Sequence, residues 1–565
     1  MVANSFLEML GVGAISPLLS VAVGNVSSRP VQIISDLTGF TSTSLLHLVA
    51  IGFIFLTIGK NCFSLFTFAQ TTRFYTRIYR SMSTRLLQSF LSQEYTWFVN
   101  RNSSDFPRLI IQEVIFVARG IIYNLLLTFT NSVLALGLVI LLALESWKAA
   151  LIMLFVLGGL YFLMYLFFRQ RLRFLGKKRF RLDKSRFTLL NNIFGGIKEV
   201  KIREKEEYYL ERYKKVALEV ARNTFRSDVY GVIPRYFVET FLFVIFGIMI
   251  ILLNSTGINI QELLPSISLY AFAGYRLMPT LQKISRSVNA ITTKMESLEK
   301  LKYSLQTYSY EEKKDHGIIH LKDKINIEQV SFAYPESIDV VLNRFSLEIK
   351  SCEKIGLVGF SGSGKTTLLN LLMGLLEPDS GYISIDGCKL TKENISGWRK
   401  NLGLVSQDVY LLDGTIAENI AFGIKPSEID QERLEAAARS AEIHNTIMNM
   451  PEGYKTQAGE RGVKLSGGQA QRIVIARALY HQPDVLIFDE ATSAMDNLTE
   501  KAIMDSINRL SGEKTLIIVA HRLSTVKDCD RIILMKDGKI LNQGNYDFLI
   551  ENEPEFKRLA METDA

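Results

Sequence analysis

Cysteine is scarce in this sequence, and the few cysteines stand far apart. Four occur in 565 residues, without the paired spacing of a disulfide framework or a zinc site. Neither is therefore predicted, and ordinary buried or free thiols are expected. The first apolar run also lacks a basic region in front of it, so no cleavable secretory signal is evident. The cysteines are Cys62, Cys352, Cys388 and Cys529.

Long apolar runs are abundant, but only in the first half. The chain is too long for one domain of roughly 150 residues, and 48% of its residues are hydrophobic, with a mean hydropathy of +0.15. The apolar blocks extend to about Asn289, and beyond them the pattern becomes that of a soluble α/β domain. The formal charge of +8 would suit either nucleic acid or an anionic membrane surface, so its placement decides between them.

Six segments are long and apolar enough to span a membrane. A spanning helix needs about 20 mostly apolar residues, and so many blocks in succession are not explained by the core helices of a soluble protein. The first is barely long enough and contains Glu8. The predicted spans are 5–24, 44–69, 114–143, 147–168, 232–254 and 263–290.

Basic residues are nearly absent from three connections, about 25–43, 144–147 and 255–262, and concentrated in two others, 72–112 and 169–226. Lys and Arg in loops mark the cytoplasmic side of a membrane protein, so the two basic segments are predicted to face the cytoplasm. The positive charge then follows from topology, and no nucleic-acid partner is predicted. Both segments have a helical pattern and are expected to extend below the membrane.

Each basic segment has a tip of unusual character. "QEYTWFV", Gln93–Val99, is apolar and aromatic, and in "NNIFGGIKEVK", Asn191–Lys201, Gly195 and Gly196 interrupt the helical pattern. A self-packed helical hairpin would explain such tips, and so would a knob that docks into another domain.

Lys60 and Arg276 lie at similar depth within predicted spans on different helices. Lys60 lies roughly 24 Å and Arg276 roughly 20 Å from the outer ends of their helices at 1.5 Å per residue, and Lys283 follows Arg276 by about two turns. Ionisable groups at this depth usually face an interior or an aqueous cavity. Cations at one level suit an anionic ligand, and guanidinium is well shaped for phosphate. Snorkelling, or pairing with a carboxylate such as Glu239, is the alternative explanation.

In the second half, strand-like runs alternate with turns and helices, as in a parallel α/β domain. The strand "KIGLVGF" leads into "GFSGSGKTT", which fits G-x-x-x-x-G-K-[ST]. Backbone N–H groups of such a loop wrap phosphates at a helix N-terminus, the lysine reaches the β- and γ-phosphates, and the hydroxyl after it binds Mg²⁺. The predicted nucleotide-binding residues of this phosphate loop are Gly359, Ser361, Gly362, Ser363, Gly364, Lys365, Thr366 and Thr367.

A second strand, "VLIFDE", closes on two acids. Asp489 at its end can reach the magnesium. Glu490 follows it and is placed to orient or deprotonate the water that attacks the γ-phosphate. Together with the phosphate loop, these acids predict a nucleoside triphosphatase.

Between these motifs stands "LSGGQ", Leu465–Gln469, and with it the C-terminal half resembles the nucleotide-binding domain of ABC transporters. The resemblance implies ATP and Mg²⁺ as cofactors and further roles in chain order. Tyr334 would stack on adenine, Gln407 would contact Mg²⁺ and water beside the other metal ligands, and His521 would contact the γ-phosphate as the second catalytic residue. "SAMD", Ser493–Asp496, resembles the D-loop, with Met where Leu is more usual.

In this family two such domains dimerise head to tail, which implies that the signature of one chain serves the ATP on the phosphate loop of another. Ser466, Gly467 and Gly468 stand at a helix N-terminus, which favours phosphate, and Gln469 completes the set. One chain has one loop and one signature, so two chains are needed. They would be two copies of this chain, or this chain with a related one.

The membrane half then resembles that of an ABC exporter. The implied fold is an α-helical polytopic membrane domain with six helices over 1–305, a linker over 306–321, and an α/β P-loop ABC domain over 322–565. The protein would lie in the cell inner membrane, with its ABC domain in the cytoplasm. The two tips, near Tyr95–Val99 and Ile193–Gly196, would be coupling helices. Family members usually begin before the first span, whereas this chain starts inside it, so a truncated first helix is expected.

Three stretches, "FLEMLGVGAISPLLSVA", "IPRYFVET" and "YRLMPTLQKI", resemble the PglK-like flippases of lipid-linked oligosaccharides. That resemblance implies ATP-driven flipping of an amphipathic anionic substrate, a polyprenyl-pyrophosphate glycan. Lys60, Arg276 and Lys283 fall at matching places for the cavity cations that engage the pyrophosphate. Residues 30–40 could form the short external helix of that group.

Other cargoes and other classes of protein stay open at this point. An exporter of lipid A-like amphiphiles or hydrophobic drugs would depend less on the cations, and peptide exporters usually carry an N-terminal peptidase domain. A membrane ATPase that acts as a regulator or channel would be favoured by uncoupled ATP-binding motifs, and these are intact. A soluble ABC ATPase acting on DNA or RNA is excluded if the apolar segments span.

Overall fold

The computed structural model describes most of the chain as two compact units. The first comprises Met1–Gln93 and Asn100–Glu311, and the second comprises Glu94–Val99 and Glu312–Ala565. The described residues are 2–13, 42–99, 101–102, 104–255, 260–307, 317–334, 339–459, 462–489, 504–505, 508, 512–520 and 522–563. The predicted external helix at 30–40 and most of the predicted linker lie outside them.

Long helices build the first unit, as the apolar blocks predict. In chain order the helices of the N-terminal half are α1 (Val2–Gly13), α2 (Ser42–Leu91), α3 (Tyr95–Val99), α4 (Tyr123–Gly195), α5 (Ile197–Ile202), α6 (Glu206–Ser255) and α7 (Ile260–Thr307). Among the described residues, two helical stretches, Leu46–Leu91 and Asp105–Ile140, are long and apolar enough to cross a membrane. They overlap the predicted spans 44–69 and 114–143.

The longest helix, α4, contains the end of the third predicted span and all of the fourth. Its backbone is helical without interruption, also across the connection predicted at 144–147. The Arg179 guanidinium nevertheless lies 4.3 Å from the centre of the Phe116 ring, although straight helix over that stretch of chain would separate them by about 95 Å. The chain therefore reverses direction between Phe116 and Arg179, so the stretch assigned to α4 is not one straight helix.

The chain just before α4 is helical but irregular. Asp105–Pro107 and Val114–Val117 are α-helical, while Arg108–Glu113 and Ala118–Ile122 are π-helical turns. A methyl group at Gly120, in the second π-helical turn, would lie 2.9 Å from the Lys294 Cγ on α7. Small residues let helices approach closely in membrane proteins, and here one lets α7 pack against the irregular stretch.

Two sheets form the second unit. The first is antiparallel, in the order β2-β1-β4-β5, with β1 (Lys324–Ala333), β2 (Val340–Lys350), β4 (Ser380–Ile385) and β5 (Cys388–Lys389). The second has the order β10-β9-β3-β8-β7-β6 and is parallel except for β10. Its strands are β3 (Lys354–Val358), β6 (Leu402–Val405), β7 (Val485–Asp489), β8 (Thr515–Val519), β9 (Arg531–Lys536) and β10 (Lys539–Gly544).

The α/β class is confirmed, but a parallel arrangement was predicted and the antiparallel sheet was not. The difference is visible in burial: β2 alternates between buried and exposed residues over much of its length, whereas β3 and β8 are buried throughout. Strands of a parallel sheet are covered on both faces, while antiparallel sheets commonly leave one face to solvent. The alternation in "VVLNRFSLEIK" is therefore the signal for the extra sheet.

The helices of the second unit form two groups, one near the antiparallel sheet in sequence and one later in the chain. α8 (Lys365–Leu372) and α9 (Ile395–Arg399) lie near the antiparallel sheet in sequence. The others are α10 (Ile416–Ile420), α11 (Gln431–Ser440), α12 (His444–Met448), α13 (Gly467–Tyr480), α14 (Tyr546–Asn552) and α15 (Pro554–Thr563), with 3₁₀ turns at Pro426–Glu428, Gly453–Lys455 and Leu523–Val526. α8 packs into a core with β1 and β2, and α13 packs into a second core with α10 and α11.

Candidate nucleotide-binding site

Parallel strands bring distant residues to one edge of the six-stranded sheet. β3, β8, β7 and β6 pair in parallel, so their carboxyl ends share that edge. The phosphate loop follows β3, Gln407 comes two residues after β6, and Asp489 is the last residue of β7. Ligands of open α/β sheets bind outside the carboxyl ends of the strands, so the fold gathers three predicted groups where a nucleotide would bind.

Glycines shape the phosphate loop, and its lysine lies over it. Gly362 and Gly364 have φ angles of +82° and +98°, a region that glycine enters without steric cost. The Lys365 Nζ donates to the carbonyl oxygens of Gly359 at 2.6 Å and Phe360 at 3.1 Å. The ammonium group is thus held inside the loop whose backbone would cradle the phosphates.

Tyr334 borders the helix that follows the loop. Its hydroxyl lies 3.3 Å from the Thr367 Oγ1 in the first turn of α8, and its ring meets the Phe332 ring edge-on at 5.1 Å. The aromatic ring therefore stands beside the phosphate-binding helix. Its stacking on adenine stays a prediction.

The groups predicted to hold Mg²⁺ are all oxygen donors. They are the Thr366 hydroxyl, the Gln407 amide oxygen and the Asp489 carboxylate, and they come from α8 and from the ends of the neighbouring strands β6 and β7. Mg²⁺ prefers oxygen ligands, so this donor set fits the ion. When bound, Mg²⁺ would neutralise charge on the β- and γ-phosphates.

The signature forms the capped N-terminus of α13. The Ser466 Oγ accepts a hydrogen bond from the Gln469 N–H at 3.2 Å, and the Gln469 Oε1 accepts one from the Ser466 N–H at 2.9 Å, a reciprocal capping box. A methyl group at Gly467 or Gly468 would meet no atom within 4 Å. The described part of this chain therefore leaves both glycines uncovered on that side, while the Gln469 side chain caps its own helix.

Several predicted site residues lie outside the described residues. They are the two catalytic residues, Glu490 and His521, and the D-loop, Ser493–Asp496. Their roles stay predictions from the sequence.

The membrane cations have different surroundings. Lys60 on α2 is half-buried, Lys283 on α7 is exposed, and the side chain of Arg276 lies outside the described residues. A methyl group at Gly11 of α1 would lie 3.3 Å from the Lys60 Cδ and 3.9 Å from its Nζ. Lys60 therefore lies against α1.

Glu239, the carboxylate considered as an alternative partner for a membrane cation, is already paired with an arginine. The Glu239 Oε2 lies 3.7 Å from the Arg235 Nε, one turn earlier on α6. The same helix carries an open apolar groove of ≈ 460 Å³ that includes neither Lys60 nor Lys283, and it is lined by Ile233, Tyr236, Phe237, Thr240, Phe241 and Val244.

The first cytoplasmic tip is a short helix that belongs to the second unit. α3 follows Glu94, whose carboxylate accepts a hydrogen bond from the Lys392 Nζ at 2.8 Å. Lys392 also lies 3.0 Å from Glu377, and hydrogen bonds to Glu94 and Glu377 raise its pKa. These groups are mostly exposed, so the pairing contributes little to stability.

The second tip is an interruption between α4 and α5. α4 ends at Gly195, and the Gly196 N–H donates to the Asn192 carbonyl at 3.1 Å, as predicted from the glycine pair. Phe194 is 68% exposed and Ile197 is 42% exposed. The first unit thus leaves an apolar tip in solvent.

Sequence motifs did not single out Arg477 or Asn419. Hydrogen bonds between Arg477 on α13, the helix that begins with the signature, and Tyr410 and Asn419 hold the segment from Gln407 to Phe422, the Gln407 segment, against that helix. An arginine within a helix is ordinarily a surface residue. The available signal was the apolar pattern around Arg477 in "IVIARALY", which buries its stem.

A phosphate loop at the carboxyl edge of a parallel sheet, in a chain whose other unit has helices able to cross a membrane, defines a membrane-attached P-loop protein. Residues 9–277 match the family described as ABC transporter transmembrane region, and residues 342–493 match ABC transporter. The chain is 31% identical over 448 residues to the ATP-dependent lipid A-core flippase of Ralstonia nicotianae, covering 78% of this chain and 74% of that protein. It belongs to the ABC transporter family.

Other relatives match over shorter parts. The heterocyst differentiation ATP-binding protein HepA of Nostoc sp. is 40% identical over 51% of this chain and 47% of its own length. The chloroplastic ABC transporter B family member 29 of Arabidopsis thaliana is 34% identical over 66% of this chain and 58% of its own length. The chain thus spans about half the length of these relatives.

A solved structure, of a bacterial Atm1-family ABC exporter with ATP bound, has the same fold. It superposes with a TM-score of 0.78 at 22% identity and covers 98% of both chains. The exporter fold, with a helical membrane domain followed by a nucleotide-binding domain, is therefore confirmed.

Proposed function

We propose that this chain is one half of an ATP-driven exporter that works as a homodimer in the cell inner membrane. Residues 1–305 form the membrane domain, 306–321 the linker, and 322–565 the cytoplasmic ATP-binding domain. When two ATP-binding domains close around ATP, one orientation of the membrane cavity is favoured. Hydrolysis of the ATP then restores the other orientation of the cavity. The observation that supports the ATPase is the assembly of the phosphate loop, Gln407 and Asp489 at one sheet edge.

The packing of the signature supports two composite ATP sites. α13 packs into a different core from α8, and the uncovered glycines Gly467 and Gly468 leave backbone N–H groups at a helix N-terminus for a phosphate of the partner's nucleotide. Within each site Lys365 binds the β- and γ-phosphates, Glu490 activates water and His521 contacts the γ-phosphate. Tyr334 stacks on the base.

The cargo we propose is a lipid with an anionic head, namely a polyprenyl-pyrophosphate oligosaccharide. Likeness to lipid A-core flippases over most of the chain supports a lipid cargo. Lys60, half-buried against α1, would engage the pyrophosphate with Arg276 and Lys283. A lipid A-like amphiphile is the second candidate, favoured by the names of those relatives. Hydrophobic drugs or peptides would need the cations less.

Transport in liposomes tests the cargo. The purified protein is reconstituted with a fluorescent lipid-pyrophosphate oligosaccharide, and ATP-dependent loss of label from one leaflet is measured beside a labelled lipid A-type amphiphile. We expect Lys60→Met and Arg276→Ala to lower flipping of the pyrophosphate lipid about tenfold, the loss of one charged hydrogen bond, without loss of basal ATP hydrolysis.

Lys302→Met, at an exposed position beyond the span on α7, serves as the matched control and should flip at the wild-type rate. If only the lipid A-type amphiphile is flipped, and the pyrophosphate lipid is not, the lipid A-like amphiphile replaces the first candidate as the proposed cargo. No movement of either above empty liposomes would refute lipid export.

A further inference from the structure

The segment that follows Gln407 is tied to the helix that begins with the signature. In the last turn of α13, Arg477 donates from Nη1 to the Tyr410 carbonyl at 2.8 Å, and from Nε and Nη2 to the carbonyl and side-chain oxygens of Asn419 at 2.8 and 3.0 Å. Its guanidinium also lies 4.9 Å from the centre of the Phe422 ring. One side chain thereby holds two separate points of the segment.

Asn419 carries the connection back toward Gln407. It is fully buried. Its Oδ1 accepts a hydrogen bond from the Leu412 N–H at 2.8 Å, and its Nδ2 donates to the carbonyls of Leu412 at 3.1 Å and Thr415 at 3.0 Å. The backbone between Tyr410 and Thr415 is therefore held through Asn419, and Asn419 is held by Arg477.

A second contact joins the same parts ahead of the signature. A methyl group at Gly462, which has a φ of +73°, would lie 2.8 Å from the Leu411 Cδ1. Gly462 precedes the signature residue Leu465 by three positions. The Gln407 segment thus touches the chain just before the signature and again at the far end of its helix.

Arg477 is suited to this connection and difficult to replace. Its hydrogen-bond acceptors among the described residues are amide oxygens, and burial lowers its pKa to about 10, which leaves it charged at neutral pH. The planar fork of a guanidinium can donate in several fixed directions at once, whereas the ammonium of lysine is a compact point charge. A lysine here would keep the charge and lose the simultaneous contacts.

We propose that Arg477 is a positioning residue that couples the two ATP sites of the dimer. Through Tyr410 and Asn419 it sets the place of Gln407 at the site on its own phosphate loop. Through α13 it connects that place to Ser466, which serves the site on the partner's loop. The inference rests on the composite sites of the proposed function.

Steady-state ATP hydrolysis by the full-length protein tests the positioning role. Arg477→Met should lower kcat about tenfold or more, since small misplacement of a catalytic group is costly. KM for ATP should stay within about twofold, because the phosphate loop is untouched. Arg477→Lys should recover part of kcat. The control is Arg433→Met, which removes an exposed arginine paired with Asp430 on α11 and should match the wild type.

A double-mutant cycle separates positioning from general stability. If Arg477 acts through Gln407, adding Arg477→Met to Gln407→Ala should lower kcat by less than twofold further, because coupled effects are not additive. Multiplicative losses, or a folded Arg477→Met protein with wild-type kcat, would overturn the role. If Arg477→Met does not fold, Arg477→Lys is tested in its place. A wild-type kcat for Arg477→Lys would then overturn the positioning role of Arg477.

Mixed dimers test the coupling. One chain carries Lys365→Ala and the other Ser466→Arg, a pairing that leaves one composite site intact. Arg477→Met is then placed on either chain, and each placement should lower the remaining activity about tenfold. An effect from only one placement would refute coupling. No activity in the parent mixed dimer would refute the composite sites, and with them the coupling, while the positioning result for Gln407 would stand.

Discussion

Gly364 shows how one residue sets the geometry of the ATP site. It is the residue before α8 and has a φ of +98°. A methyl group there would lie 3.0 Å from the Leu342 Cδ2 and 3.2 Å from the Val341 carbonyl oxygen. The positive φ favours glycine and the space is tight, and this turn directs the N-terminus of α8, with Lys365 and Thr366, toward the place where phosphates would bind.

Glu490→Gln tests the proposed base at the same scale. The amide keeps the size of the side chain but cannot accept a proton from the attacking water, so hydrolysis should fall by about 10²-fold or more. ATP should stay bound and hold the two ATP-binding domains together. Hydrolysis of labelled ATP and the retention of nucleotide on the purified dimer measure the two effects. Near-normal turnover would show that Glu490 is not the base.

At the scale of elements, a buried network of charges joins α4 and α7 to the π-helical stretch. The Glu113 carboxylate, fully buried, accepts from the Arg108 Nη1 at 2.9 Å and from the Ser297 hydroxyl at 2.5 Å, and lies 3.6 Å from the Arg179 Nη2. Burial, followed by the positive charge of Arg179, lowers the pKa of Lys294 to about 8. The negative charges of three nearby carboxylates act in the opposite direction. Glu113 therefore lies among several cations where three helical elements meet.

Glu113→Gln should destabilise this junction strongly. Removing one partner of a buried ion pair costs about 3–5 kcal/mol, because the remaining charge is left uncompensated. The loss of folded protein on heating in detergent measures the effect. Glu299→Gln is the matched control on α7, since the Glu299–Arg173 pair is about half-exposed and such pairs contribute roughly 0–1 kcal/mol. Equal stability of the two variants would contradict the role of Glu113.

At the scale of the whole molecule, the two cytoplasmic tips differ in what they contact. α3 belongs to the unit that contains the ATP site, with Glu94 paired to Lys392. The tip at Phe194 and Ile197 exposes apolar side chains, which often mark interaction surfaces. The sequence predicts that this tip is a coupling helix, which would be covered by an ATP-binding domain.

Phe194→Ser tests whether this tip transmits ATP hydrolysis to transport. Removal of the ring should lower the amount of cargo flipped per ATP hydrolysed about tenfold, since a buried aromatic anchor commonly contributes 2 kcal/mol or more at an interface. Flipping and hydrolysis are measured in the same liposomes. Phe225→Ser on α6 is the control, because Phe225 is also 68% exposed. An unchanged ratio for Phe194→Ser would argue against docking of this tip.

The sequence by itself determined the family of the ATP-binding domain and the class of fold. The phosphate loop, "LSGGQ" and "LIFDE" are contiguous motifs whose function depends on local backbone geometry, and membrane helices are recognisable from continuous apolar length. Only the tertiary structure decided that Arg477 holds Tyr410 and Asn419, and that Glu113 lies among cations from three elements. These features join residues far apart in the chain, and contacts of that kind leave no periodic signal in either partner's own sequence.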